Sequence, residues 1–362
     1  MSRLAIADRS AVDEWSRPGF WRTFLIVLGA ILALVGMLNV LVDPLDLYGS
    51  GWLPPWQFNR YERKLELFSH LNPPAQALIL GSSRVESIDP DLVSRLTGKR
   101  CFNWGLPSAS AEIMLAVLRL AVEEHSAPIE LVIVGVDPVA FHPSRWVHPQ
   151  ARLVPAYTRY FERAPRMAGI REKVSRLLTM EQTTTSYLVL RREAGLDEPQ
   201  ERVGYREDGR AVYFQRESAI AAGTFDLQQI LGSRIPSYPE ESLGLSTFSE
   251  MSQSRQRMWE QFLAMCNEKG IRVYVFMPPV HPDLWKLLVE KGAGPIFEEV
   301  SAFLDRTVTE AGGVFRDYTQ LASFGGDPEL FYDEVHMRPG NVEVVLKRLL
   351  AEDEAETREG VQ

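Results

Sequence analysis

Ala77-Leu78-Ile79-Leu80-Gly81-Ser82-Ser83-Arg84 reads as a strand that runs directly into a glycine–serine turn. Four apolar residues in a row suit a strand covered on both faces, as in a parallel sheet. The same kind of run returns at Arg100–Trp104, Leu131–Val136, Ile271–Met277 and Val314–Tyr318. Between them the apolar residues change to helical spacing: Ile113, Ala116, Val117, Leu120 and Ala121, then Met258, Phe262 and Met265 ahead of Gly270. Val342, Val345, Leu346, Leu349 and Leu350 define a last helix, and the polar tail over 353–362 is expected to fray. Alternation of this kind builds βαβ units. The predicted fold is α/β: a three-layer α/β/α domain with a parallel sheet, over 76–142 and 248–352.

Two stretches stand outside that alternation. Residues 143–247 hold helical pieces but no run fit for a central strand, so they read as a mainly helical cap over the site. Within 151–192 basic residues outnumber acidic ones, which suits anionic glycan or lipid headgroups; a solvated helix face has the same composition. Phe24–Val42 carries no charge and is long enough for a transmembrane helix. Arg3, Arg9, Arg17 and Arg22 precede it, and Asp43 and Asp46 follow. Basic flanks stay in the cytoplasm, so 1–23 is expected inside and the remainder outside. The protein is thereby expected to be a single-pass protein of the cytoplasmic (inner) membrane with a periplasmic, extracytoplasmic domain. Both the apolar run and its leader are long for a cleaved signal peptide. Asn39 is tolerable near the outer end and calls for no functional reading. Residues 43–75, with Trp52 and Trp56, form a juxtamembrane connector.

The bulk numbers narrow the field. A chain of 362 residues with a net charge of −9 has room for a sizeable core but lacks the basic face that nucleic acid requires. Cys101 and Cys266 lack redox or zinc spacing and read as buried thiols, with a single disulfide as the alternative. His142, His148 and His281 lack metal-ligand spacing, and neither a phosphate loop nor a dinucleotide fingerprint is present. No metal and no cofactor are assigned.

In an open parallel sheet, ligands bind at the carboxyl ends of the strands. The residues just beyond each predicted strand are Ser83, Gly105, Asp137, His281 and, across a loop, Asp333 and His336. A serine hydroxyl needs a base, and the base needs an orienting group. His336 suits the first role and Asp333 the second. The Ser83 amide and Gly105 are candidate donors to a developing oxyanion. Arg84 offers a cation for a substrate carboxylate or phosphate, with packing of its stem as the alternative. Trp104 and Trp146 could stack on sugar rings, although tryptophans near sheet edges also serve as core.

This combination resembles the SGNH/GDSL hydrolase family over about 76–142 and 255–350. Gly81-Ser82-Ser83 stands where the family has Gly-Asp-Ser, Gly105 is similar to the glycine of its second block, and Asp333-x-x-His336 matches its last block. The resemblance implies a flavodoxin-like sheet and a Ser83–His336–Asp333 triad. The third block departs: Gly135-Val136-Asp137-Pro138 stands where Gly-x-Asn-Asp is usual. An ionised Asp137 accepts hydrogen bonds and cannot donate one to an oxyanion, which puts its place in that hole in doubt. The Gly-Ser-Ser-Arg form, the anchor and the insertion are similar to the SGNH-like proteins of alginate O-acetylation and the D-alanylation protein of lipoteichoic acid synthesis. That branch implies transfer of an acyl group, acetyl above all, to a cell-envelope polysaccharide, beside a membrane-bound O-acyltransferase as partner. A carbohydrate esterase, or a non-catalytic scaffold that binds glycan, fits the same residues.

Overall fold

The structure is a computed structural model and describes residues 18–50, 52–56, 58–144, 147–161, 173–196 and 203–359. Arg3, Arg9, Arg17 and Trp146 lie outside the described residues. In chain order the main elements are α1 (Pro18–Val42), α2 (Arg60–Ser69), β1 (Ala77–Gly81), α3 (Pro90–Thr97), β2 (Cys101–Asn103), α4 (Ala111–Arg119) and β3 (Leu131–Gly135). There follow α5 (Met180–Glu193), β4 (Gly204–Tyr205), β5 (Ala211–Val212), α6 (Phe214–Ala221), α7 (Leu227–Arg234) and α8 (Gln253–Glu268). The series ends with β6 (Arg272–Met277), α9 (Pro282–Glu290), α10 (Gly294–Glu310), β7 (Val314–Asp317) and α11 (Pro339–Glu359). The chain forms two compact units, one of Met1–Asn59 with Gly169–Pro199, the other of Arg60–Ala168 with Gln200–Gln362.

In the first unit, α1 carries the apolar run. Gly19–Val42 is long and apolar enough to cross a membrane, and only 17% of its most apolar window is buried. α5 lies against it. Asn39, fully buried, donates to Leu177 O at 2.9 Å and to Thr183 Oγ1 at 3.0 Å, and accepts from Ser186 Oγ at 2.8 Å. Asn39 thus has a structural task that its position in the apolar run did not reveal. A buried amide without these partners would be costly, so the pairing fixes where α5 meets α1.

The second unit holds one parallel sheet in the order β2-β1-β3-β6-β7. The five strands begin or end within one residue of the runs read from sequence. Alternate strand residues face opposite layers. Leu78, Leu80, Val132, Val134, Val273 and Val275 join one core with α4, α8, α9 and α10. Ala77, Ile79, Leu131, Ile133, Tyr274 and Phe276 join another with α3 and α11. The fold is therefore a three-layer α/β/α domain, with the order reversal beside β1 that places a crevice at the strand ends. Helix α11 does not stop at the polar tail but continues to Glu359. Cys101 and Cys266 are free, buried thiols.

The segment read as a single cap is divided. Residues 173–196 belong to the unit of α1, whereas 203–247 belong to the sheet's unit. There the β4–β5 hairpin reaches the turn after β1, with the Ala211 amide donating to Glu86 O at 2.7 Å.

Candidate active site

The turn after β1 is shaped by a glycine no other residue could replace. Gly81 has φ +140°, and a Cβ there would lie 2.3 Å from Gly135 O of the neighbouring strand. The chain can therefore leave the sheet sharply and present Ser83, which is half-buried among buried neighbours. The Ser83 amide has no hydrogen-bond acceptor among the described residues and stays available to a ligand.

Ser83 Oγ lies 2.9 Å from His336 Nε2. His336 Nδ1 lies 2.8 Å and 2.9 Å from the two Asp333 oxygens. A ring nitrogen facing a carboxylate carries the proton, so Nδ1–H donates to Asp333 and Nε2 accepts from the Ser83 hydroxyl. Asp333 Oδ1 also receives the amides of Val335 at 3.1 Å and His336 at 2.9 Å, which is how a tight three-residue spacing locks the imidazole in place.

Two arginines that sequence reasoning missed complete this chain. Arg216 on α6 places Nη2 2.8 Å from Asp333 Oδ2, and Arg234 on α7 places Nη2 4.0 Å from the same oxygen. Arg234 also grips the buried Glu334 through Nε at 2.6 Å and Nη2 at 2.8 Å. Burial of Asp333 opposes its charge, but His336, then Arg216 and Arg234, outweigh it and hold the carboxyl well below the usual carboxylate range. The folded protein thus favours the ionised form of this acid. Tyr213 closes the group, its ring centroid 6.1 Å from that of His336 and 5.1 Å from the Arg216 guanidinium. No spacing rule could reveal these partners, because they come from the segment with no strand pattern.

The remaining expected site residues fall elsewhere. Gly105 is needed for close approach, since a Cβ there would lie 2.9 Å from Val85. Its amide, however, donates to Asn103 Oδ1 at 2.9 Å and so is not open to an oxyanion. Asn103 in turn donates to Val85 O at 2.7 Å and Ile88 O at 2.9 Å, lacing the serine turn to β2. Arg84 does not face a substrate. It is 5% exposed, pairs with Asp137, and donates to Pro278 O at 2.7 Å and to Pro279 O. Asp137 is therefore neither an oxyanion donor nor a bare charge, because Arg84 neutralises it while tying the ends of β1, β3 and β6. Trp104 is 1% exposed, with its Nε1–H on Tyr157 Oη at 3.0 Å, so it is core rather than a sugar platform.

Beneath the turn lies a second buried set. Glu86 receives Tyr205 Oη at 2.6 Å and Arg60 Nη1 at 3.3 Å. Lys64 donates to Asn103 O at 2.7 Å and to Gly209 O, and burial lowers it to about 7. The three other histidines singled out from sequence hold local turns: His142, His148 and His281 accept from the amides of Ser144, Gln150 and Asp283. Asp89, Asp91 and Asp208 cluster, but Asp89 caps α3 and pairs with Arg210 at 3.3 Å.

No family model matches the chain, and no curated protein matches it significantly in sequence. Among solved structures it is similar to a Bacteroides fragilis protein provisionally named an acylhydrolase, at 12% identity and a TM-score of 0.36, over 82% of this chain and 94% of that one. A likeness of that size leaves the chemistry to be argued from this chain's own residues.

Proposed function

We propose that this protein is an SGNH-type serine enzyme that moves an acyl group, acetyl above all, onto an extracytoplasmic cell-envelope polysaccharide. The observation that carries the reading is the unbroken hydrogen-bonded chain from Ser83 through His336 to Asp333. His336 Nε2 takes the Ser83 proton as Oγ attacks the acyl carbonyl, and the Ser83 amide receives the developing oxyanion. Collapse expels the donor's alcohol or thiol with the proton from His336, leaving acyl-Ser83. A sugar hydroxyl then attacks, His336 takes its proton and returns it to Ser83 Oγ, and the ester is released. Asp333, fixed as an anion, stabilises the imidazolium in both halves. In this reading α1 anchors the enzyme in the cytoplasmic membrane, and a membrane-bound O-acyltransferase supplies acyl groups from the other side.

The Arg84–Asp137 pair supports catalysis over a scaffold role, because it removes the electrostatic objection to Asp137 beside a developing oxyanion. The test uses the full chain in detergent with an activated acetyl ester, read by mass spectrometry. An acetyl adduct on Ser83 that is lost in Ser83→Ala is expected; folded protein with neither adduct nor ester turnover would overturn the proposal. Polymer from a strain lacking the protein separates transfer from hydrolysis, since loss of a transferase lowers ester content and loss of an esterase raises it.

A further inference from the structure

We propose that residues 173–196 form a second membrane contact, with α5 lying in the outer interface of the bilayer beside α1 and lipid acyl chains covering its apolar side. This rests on α1 spanning the membrane, as proposed above. Three observations within the first unit carry it.

The first is depth. A Cβ on Gly36 would lie 3.3 Å from Leu177, so Leu177 abuts α1 inside its apolar run. Gly36 precedes the end of α1 at Val42 by a little under two turns, roughly 9 Å at 1.5 Å per residue. The three hydrogen bonds of Asn39 hold that register. Whatever depth the outer end of α1 takes, Leu177 and Leu178 share it.

The second is the face left open. α5 turns Gln182, Ser186 and Val189 inward, at helical spacing. Met180, Tyr187 and Leu190 repeat that spacing on the other side and are 79%, 56% and 38% exposed. Val174 and Leu178 are exposed as well, so these five large apolar side chains of the stretch are open to the surroundings, with Arg191 over the Tyr187 ring at its far end. An apolar groove of about 480 Å³ is lined by Met37, Leu41, Leu177 and Leu178, and so joins this stretch to α1. The third is charge. Lys173, Arg176, Arg191 and Arg192 outnumber Glu181 and Glu193 in this stretch, in a protein that is acidic as a whole. An apolar face with basic flanks is the composition of a helix lying in a membrane surface.

The experiment places one fluorescent probe at a time on the full chain, at Met180→Cys, at Leu28→Cys in α1, or at Val289→Cys on α9, which is 51% exposed. The native cysteines are buried, and the unsubstituted chain serves as the labelling blank. The protein is reconstituted in vesicles of phosphatidylcholine and phosphatidylglycerol and quenched by spin-labelled lipid or by iodide. The Met180→Cys probe is expected to be quenched several-fold more by lipid than the Val289→Cys probe and to be shielded from iodide, as the Leu28→Cys probe is. Lipid quenching at Leu28→Cys with iodide quenching at Met180→Cys would overturn the second contact and leave the anchor standing. Iodide quenching at both would overturn the anchor and the contact together.

Discussion

Arg216 Nη2 sits 2.8 Å from Asp333 Oδ2, so the acid that orients His336 is itself held by a cation from the insertion. Part of the carboxylate's field is thereby drawn away from the imidazole. Arg216→Ala leaves Asp333 Oδ2 with Arg234, 4.0 Å away, as its remaining guanidinium neighbour, so the carboxylate is held less firmly against His336 Nδ1. A fall in kcat of about 10–100-fold with KM changed far less is expected in ester hydrolysis by the full chain. Arg216→Lys is expected to recover most of it, whereas an equal loss in both variants would speak against the ion pair as the positioning contact.

Asp333→Asn keeps the shape of the residue but lets the imidazole turn its proton toward Ser83. Turnover is expected to fall about 10³–10⁴-fold with KM changed far less, measured as ester hydrolysis by purified protein.

Arg84→Met strands a buried carboxylate on Asp137, whose partner is that guanidinium. A loss of about 3–5 kcal/mol in unfolding free energy is expected. Adding Asp137→Leu should recover most of it, because removing both charges leaves none to desolvate. Chemical unfolding followed by tryptophan fluorescence measures both variants.

Lys64 contributes a pH dependence of unusual sign. Burial lowers it to about 7 from its ordinary 10.5, so between those values the unfolded chain binds the proton that the folded chain has released. Stability attributable to this group rises with pH through that window and is flat below it. Between pH 7 and 9 the gain is about 2 kcal/mol at most, and Lys64→Met should flatten the slope.

The sheet was legible because strands buried on both faces leave unbroken apolar runs, as Leu78–Leu80 and Val132–Val134 do. Ser83, Asp333 and His336 could be picked out because strand ends in an open parallel sheet point to one edge. What stayed hidden were contacts made across long separations by residues without periodic signature. Arg216 and Arg234 look like ordinary helix-surface arginines until α6 and α7 fold over Asp333. The amide of Gly105 looked free because nothing in an Asn-x-Gly triplet says that the asparagine will claim it. Arg84 read either as a ligand for substrate or as a packed stem because Asp137, its partner, lies on another strand end. Asn39 read as incidental in the apolar run because its three partners lie in 177–186.

The hairpin that touches the serine turn and the helices that bring arginine to Asp333 belong to one continuous stretch, 203–247. A chain trimmed of that stretch would retain every strand of the sheet together with Ser83, His336 and Asp333. Its acid would lose both guanidinium neighbours, and its serine turn would lose an outer brace. A scaffold given Ser83, His336 and Asp333 alone would therefore lack the hairpin's hold on the serine turn and both cations beside Asp333.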